Sequence, residues 1–171
     1  MDRVAGDLQI EQDMAFQRRD WRVQRIGWAV MVLVVAASTA GLLGSGPLSR
    51  GRTEVPGVVS VDYQRFSRFQ APEELRVQVA PAATAAPEVR LAVDRRFLDG
   101  AEIRSILPRP DRVESAGGDV TFVFPLARPG EGLDVVFNLR SEHLGLARGR
   151  VGVVRADGPP ATVEFRQVVY P

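Results

Sequence analysis

The fold is decided by residues 119–140, DVTFVFPLARPGEGLDVVFNLR. Val120, Phe122, Phe124 and Leu126 recur at every second position, and Leu133, Val135, Phe137 and Leu139 do the same after a break. A period of two places side chains on one face of an extended chain, which is the pattern of a half-buried strand. The break, Arg128-Pro129-Gly130-Glu131-Gly132, is turn chemistry: proline presets one backbone angle and glycine supplies the conformations other residues avoid. The segment therefore reads strand, turn, strand.

The same period spreads outward in both directions. Val59, Val61 and Tyr63 alternate with polar residues, as do Leu75, Val77 and Val79, then Val89, Leu91 and Val93. Val151 and Val153 follow, and Val163, Phe165, Gln167 and Val169 form a last run. Weaker strands are predicted at 101–106 and 111–115, giving seven to nine in all. Gly117-Gly118-Asp119 and Asp157-Gly158-Pro159-Pro160 punctuate them. Asp94–Asp99, DRRFLD, predicts one helical turn, and Ala80–Pro87 a loop of small residues. Short strands with regular turns over residues 58–171 predict an antiparallel, immunoglobulin-like β-sandwich. The Cys…Trp…Cys pattern of true immunoglobulin domains is missing, so the expectation is the general architecture. With no cysteine at all, the domain depends on its apolar core, and thiol chemistry and cysteine-based zinc sites are excluded.

The period changes upstream. Ile26 to Ser49 carries no charge, and its core, Ile26 to Leu43, is almost wholly apolar. At about 1.5 Å per residue that core is roughly 27 Å long, the thickness of a bilayer's hydrocarbon layer. Arg18, Arg19, Arg22 and Arg25 precede it, opposed by Asp20, whereas Arg50 and Arg52 follow it with Glu54. Arginine near a span favours the cytoplasmic side, and Trp21 and Trp28 suit the membrane–water boundary. The expectation is a transmembrane helix with a cytoplasmic N-terminus and a periplasmic or extracellular C-terminal domain. The boundaries read as a cytoplasmic segment over 1–25 with a juxtamembrane helix, the span over 26–43, a linker over 44–57 and the sandwich over 58–171. A cleaved signal peptide, cut near Ser38-Thr39-Ala40, is the rival reading; the long leader and the run continuing through Leu43 favour an uncleaved anchor. Ala29, Ala36, Ala40 and Gly44 recur at helical spacing as a stripe of small residues, which lets helices approach closely. That stripe is a candidate for packing against a membrane-protein partner or a second copy; a plain lipid anchor with alanines is the alternative.

All 22 basic residues are arginine, and 21 acidic residues leave a net charge of +1. No basic block follows the membrane approach, which disfavours nucleic-acid binding. The absence of lysine excludes Schiff-base chemistry and a P-loop. His143 stands alone, no G-x-S-x-G elbow occurs, and Ser141 is too close in sequence to make a triad with it. Glu73 and Glu74 are adjacent and so face opposite sides of a strand. Asp94, Asp99 and Glu102 are interleaved with Arg95, Arg96 and Arg104, which reads as local ion pairing rather than a calcium site. Neither a cofactor nor a metal site is expected.

Taken together, FQRRDWRVQRIGW over residues 16–28, one span, and a sandwich ending FRQVVYP resemble a group of small bacterial single-span membrane proteins. The resemblance implies association with YetF-like inner-membrane proteins and carries no catalytic residue. The functional expectation is a non-enzymatic, membrane-anchored accessory or interaction protein in the bacterial cytoplasmic membrane. A ligand- or glycan-binding module ranks second, because the outer domain has no tryptophan and only Tyr63 and Tyr170 as tyrosines, and Phe97, its best loop aromatic, reads as core. A hydrolase using scattered carboxylates ranks third.

Overall fold

Alternating side chains need a second sheet to bury against, and the chain supplies one. The computed structural model describes residues 14–39, 49–155 and 160–171, and for 14–20 and 116 the backbone alone. Two units divide at Thr39/Ala40.

The first unit is a single helix, α1 (Met14–Thr39). Near its end the Ser38 and Thr39 hydroxyls donate to the Val34 and Val35 carbonyls, both at 2.8 Å. Among the described residues no helix is long and apolar enough to cross a membrane. The physical reason is that Arg22 and Arg25 belong to the same helix as the apolar run, of which only Ile26–Thr39 is described. The remainder of the expected span, residues 40–43, lies outside the described residues, as do the side chains of Arg18 and Arg19.

The second unit is a two-layer β structure. Its elements are β1 (Arg50–Val55), β2 (Val59–Gln64), β3 (Phe66–Arg68), β4 (Pro72–Val79), β5 (Glu88–Asp94), α2 (Arg95–Asp99), β6 (Ala101–Leu107), β7 (Arg112–Ala116), β8 (Asp119–Pro125), β9 (Leu133–Ser141), β10 (Gly145–Val154) and β11 (Ala161–Tyr170). One sheet runs β1-β2-β4-β9-β6 and the other β3-β11-β10-β5-β8-β7. Every pairing is antiparallel except β3 with β11, which is parallel.

Eleven strands are described where seven to nine were expected. The two extra ones are short or polar. β3 has only three residues. β1 lies inside the stretch expected to be a linker over 44–57. Its outward residues are charged, with Arg52 bonded to Glu54 at 3.3 Å, and its buried position is Gly51, so no apolar alternation marks it. The weak strands at 101–106 and 111–115 are present as β6 and β7, and the turn at DRRFLD is α2, capped by Asp94 accepting from the Arg96 amide at 2.9 Å.

The core is what the alternation predicts. Val61, Val77, Val135 and Phe137 from one sheet meet Leu91, Val93, Phe124 and Val151 from the other, all at 0 % exposure. Phe122 and Phe137 lock the sheets edge to face at 5.3 Å, an arrangement worth about 0.5–1.5 kcal/mol beyond area burial. At the other end Phe165 lies 5.0 Å from both Tyr63 and Phe97.

One valine breaks the pattern. Val123 is on the outer face of β8 and yet is fully buried. Arg90 and Arg112 pair with it on the flanking strands β5 and β7. Arg90 bonds Glu114 at 2.8 Å, and Arg112 bonds Glu88 at 2.7 Å and Glu114 at 3.1 Å. The arginine stems roof the valine and their heads close a charge lattice with the two glutamates.

The outer edges of both sheets are blunted. Charged side chains line β1 and β7, β3 is three residues long, and β6 carries a bulge between Ile103 and Ser105 beside the Arg104–Glu102 ion pair at 3.1 Å.

Candidate functional site

The second sheet opens in its middle. β10 pairs with β5 only through Val151–Val154. Beyond Val93 the β5 chain turns away at Asp94 into α2, while β10 continues through Gly145–Arg150 paired on one side, to β11. Among the described residues no strand pairs with the other side of Gly145–Arg150. A groove of about 850 Å³ occupies that gap. Gly145–Arg150 forms one wall, α2 with Gly100 and Ala101 the other, and His143 and Leu144 close one end.

Local sequence explains the shape. Gly145 sits at φ +105°, a conformation that favours glycine, and lets the chain turn sharply from Leu144 into β10. Gly149 faces Phe165 on β11, and a Cβ at Gly149 would run into that ring. The ring therefore covers the glycine and forms part of the groove floor. Phe97 also lines it, but both rings are buried in the edge-on pair, so the groove presents their rims rather than a flat stacking platform.

The outward side chains of this wall fall in rows. Leu146 pairs with Val168, Arg148 with Arg166, and Arg150 with Glu164. Leu144 and Leu146 are each 57 % exposed and Val168 is 41 % exposed. Arg150 is satisfied by Asp119 at 2.8 Å, and that hydrogen bond holds its guanidinium above its ordinary value. Arg148 and Arg166 oppose each other directly, and among the described residues neither makes an ion pair. Like charges facing across a strand pair are unfavourable.

The residues singled out from sequence fall into three groups. Trp21, Arg22, Arg25 and Trp28 are exposed on α1, and the Arg25 guanidinium lies 4.5 Å from the centre of the Trp21 ring, one helical turn away. Ala29 and Ala36 share one face of α1, while Ala40 and Gly44 lie outside the described residues. His143 is beside the groove, close to Gly100.

The carboxylates do not converge. Glu74 is exposed and bonds Arg76 at 3.0 Å. Glu102 pairs with Arg104 and Asp94 caps α2. Among the described residues no group of three or more potential metal ligands forms. Glu73 is the exception in burial, at 6 % exposure. It accepts from the Ser141 hydroxyl at 2.9 Å and from the Gln167 amide, joining β4 and β9 of one sheet to β11 of the other. Sequence spacing gave no sign of this trio, because its members are 68 and 94 residues apart.

The class so defined is a two-sheet β-sandwich with an open strand edge in one sheet. Structural comparison agrees with the first half of that description. The sandwich is similar to a cohesin module from a family 33 glycoside hydrolase of Clostridium perfringens ATCC13124, with a TM-score of 0.50 and 14 % identity over 67 % of this chain and 96 % of that module. At that identity the likeness is one of fold alone. No protein-family profile matches the chain, and no curated protein matches it in sequence.

Proposed function

We propose that this chain is a tethered, non-enzymatic interaction protein: α1 and the residues after it anchor it in the bacterial cytoplasmic membrane, and the sandwich binds a membrane-protein neighbour on the far side. The observation that carries the tether is the exposure of α1. Ile26, Trp28 and each residue from Val30 to Val35 is at least half exposed, with Leu33 at 70 %. From Ile26 onward α1 bears no charged side chain on any face, and such a stretch calls for an apolar surrounding. The basic approach and the two tryptophans set its direction. The interaction role rests on the sandwich's outward leucines and on Arg148 and Arg166, which make no ion pair among the described residues.

The test is a pair of fusions with native cross-linking. Alkaline phosphatase fused at the C-terminus should be active and a fluorescent protein there should be dark, with the chain resistant to carbonate extraction. Cross-linking in membranes should then trap a defined membrane protein. A bright cytosolic fusion, or release by carbonate, would overturn the tether.

A further inference from the structure

We propose that the gap beside Gly145–Arg150 accepts an extended segment of a partner protein as an added strand, with an acidic side chain of that segment meeting Arg148 and Arg166. This deepens the interaction reading above by naming the mode and chemistry of the partner, and it does not depend on the membrane tether.

Three observations converge. The first is backbone. Gly145–Arg150 is a strand segment with one side paired to β11 and the other facing an 850 Å³ groove. Along such an edge alternate residues present N–H and C=O groups, which is the template for strand addition. The second is contrast. Charge, a bulge or brevity blunts the four outer edges of the sheets, whereas this inner edge has no bulge and carries two glycines and an alanine; of its two arginines Arg150 is already paired with Asp119, and Arg148 selects an acidic guest. The third is charge. An added strand would set its own outward side chains beside Leu146 and Arg148. An apolar residue there would cover Leu146, exposed in the free chain. An acidic residue two positions along would relieve the Arg148–Arg166 opposition, which no acid of the described chain relieves. The pattern sought is apolar, any residue, acidic. Inward side chains of the guest would enter the groove beside Gly149, over the rims of Phe97 and Phe165.

The experiment uses the full chain in lipid nanodiscs and random octapeptides displayed on phage. Selected peptides should carry an acid two positions from an apolar residue. A synthetic consensus peptide should slow amide exchange over Gly145–Arg150 by about tenfold or more, since edge amides exchange freely until paired. Arg148→Glu should weaken that peptide about tenfold, and replacing the peptide's acid by arginine should restore binding. That exchange of charges reads contact rather than folding. No enrichment, or enriched peptides that protect another segment, would overturn the proposal. Concentration-dependent protection of Gly145–Arg150 in the chain alone would assign the gap to a second copy and overturn it equally. A native cross-linked partner contacting only α1 would refute strand addition while leaving the tethered interaction protein intact.

Discussion

Gly149→Ala tests how the groove floor is built. The added methyl points into the Phe165 ring, which cannot swing aside: Phe165 is 3 % exposed and held between Tyr63 and Phe97, each 5.0 Å away. Two effects oppose each other. Alanine restricts the unfolded chain and suits a strand better than glycine, a gain of about 0.5–1 kcal/mol. Overpacking a filled site loses about 1–3 kcal/mol, and displacing the ring weakens two aromatic contacts of about 0.5–1.5 kcal/mol each. The steric side wins, leaving a net loss of about 1–3 kcal/mol. For a unit of this size that lowers the melting temperature by roughly 4–12 °C. The assay is differential scanning calorimetry, read on the cooperative transition of the sandwich, which buries the core that α1 does not share. Gly118→Ala is the reference, because a Cβ there meets nothing within 4 Å. A Gly149→Ala chain melting at or above the Gly118→Ala chain would refute the account of the floor.

Removing residues 161–171 should yield an insoluble or protease-sensitive product, since β11 pairs with β10 along nine positions and supplies Val163, Phe165 and Val169 to the core; unchanged melting would contradict this. Glu73→Ala strands the Ser141 hydroxyl and the Gln167 amide, and at about 1–3 kcal/mol for each unsatisfied group the loss should reach about 2–6 kcal/mol in urea unfolding; a loss below about 1 kcal/mol would mean water or rearrangement satisfies both. Hydrogen bonds from Arg112 and then Arg90 hold the Glu114 carboxyl below its ordinary value. A carboxyl depressed in the folded state contributes stability above its unfolded pKa, and that contribution disappears as pH falls through the folded value. Melting curves should therefore lose stability in the acid range below the usual carboxylate titration, and Glu114→Gln should flatten that limb; an unchanged limb would remove the lattice from the acid response.

The strands were legible where burial is one-sided. Period-two runs such as Val120–Leu126 and Leu133–Leu139 mark the inner faces directly, and each lies where the alternation places it. Legibility failed where the physics is not side-chain burial. β1 buries a glycine under Tyr63, so hydropathy is silent there. Val123 looks outward in sequence, and only the arginines of two other strands bury it. The candidate groove was invisible for a topological reason: only Val151 and Val153 carry a strand signal, and no period-two apolar run marks the preceding Leu146, Arg148 and the two glycines. Their importance arises from where β5, some fifty residues earlier in the chain, leaves the sheet. The membrane reading rests on residues 26–43, of which the described helix contains only part.

The gap between β10 and α2 has a back wall, and this limits what strand addition there can produce. A strand seated beside Gly145–Arg150 would have Gly100, Ala101 and α2 on its far side rather than solvent. It could not present a fresh edge to a second guest. Assembly through this gap therefore stops at one guest per sandwich, even where copies are crowded in two dimensions, and cannot propagate into fibres as head-to-tail contacts do.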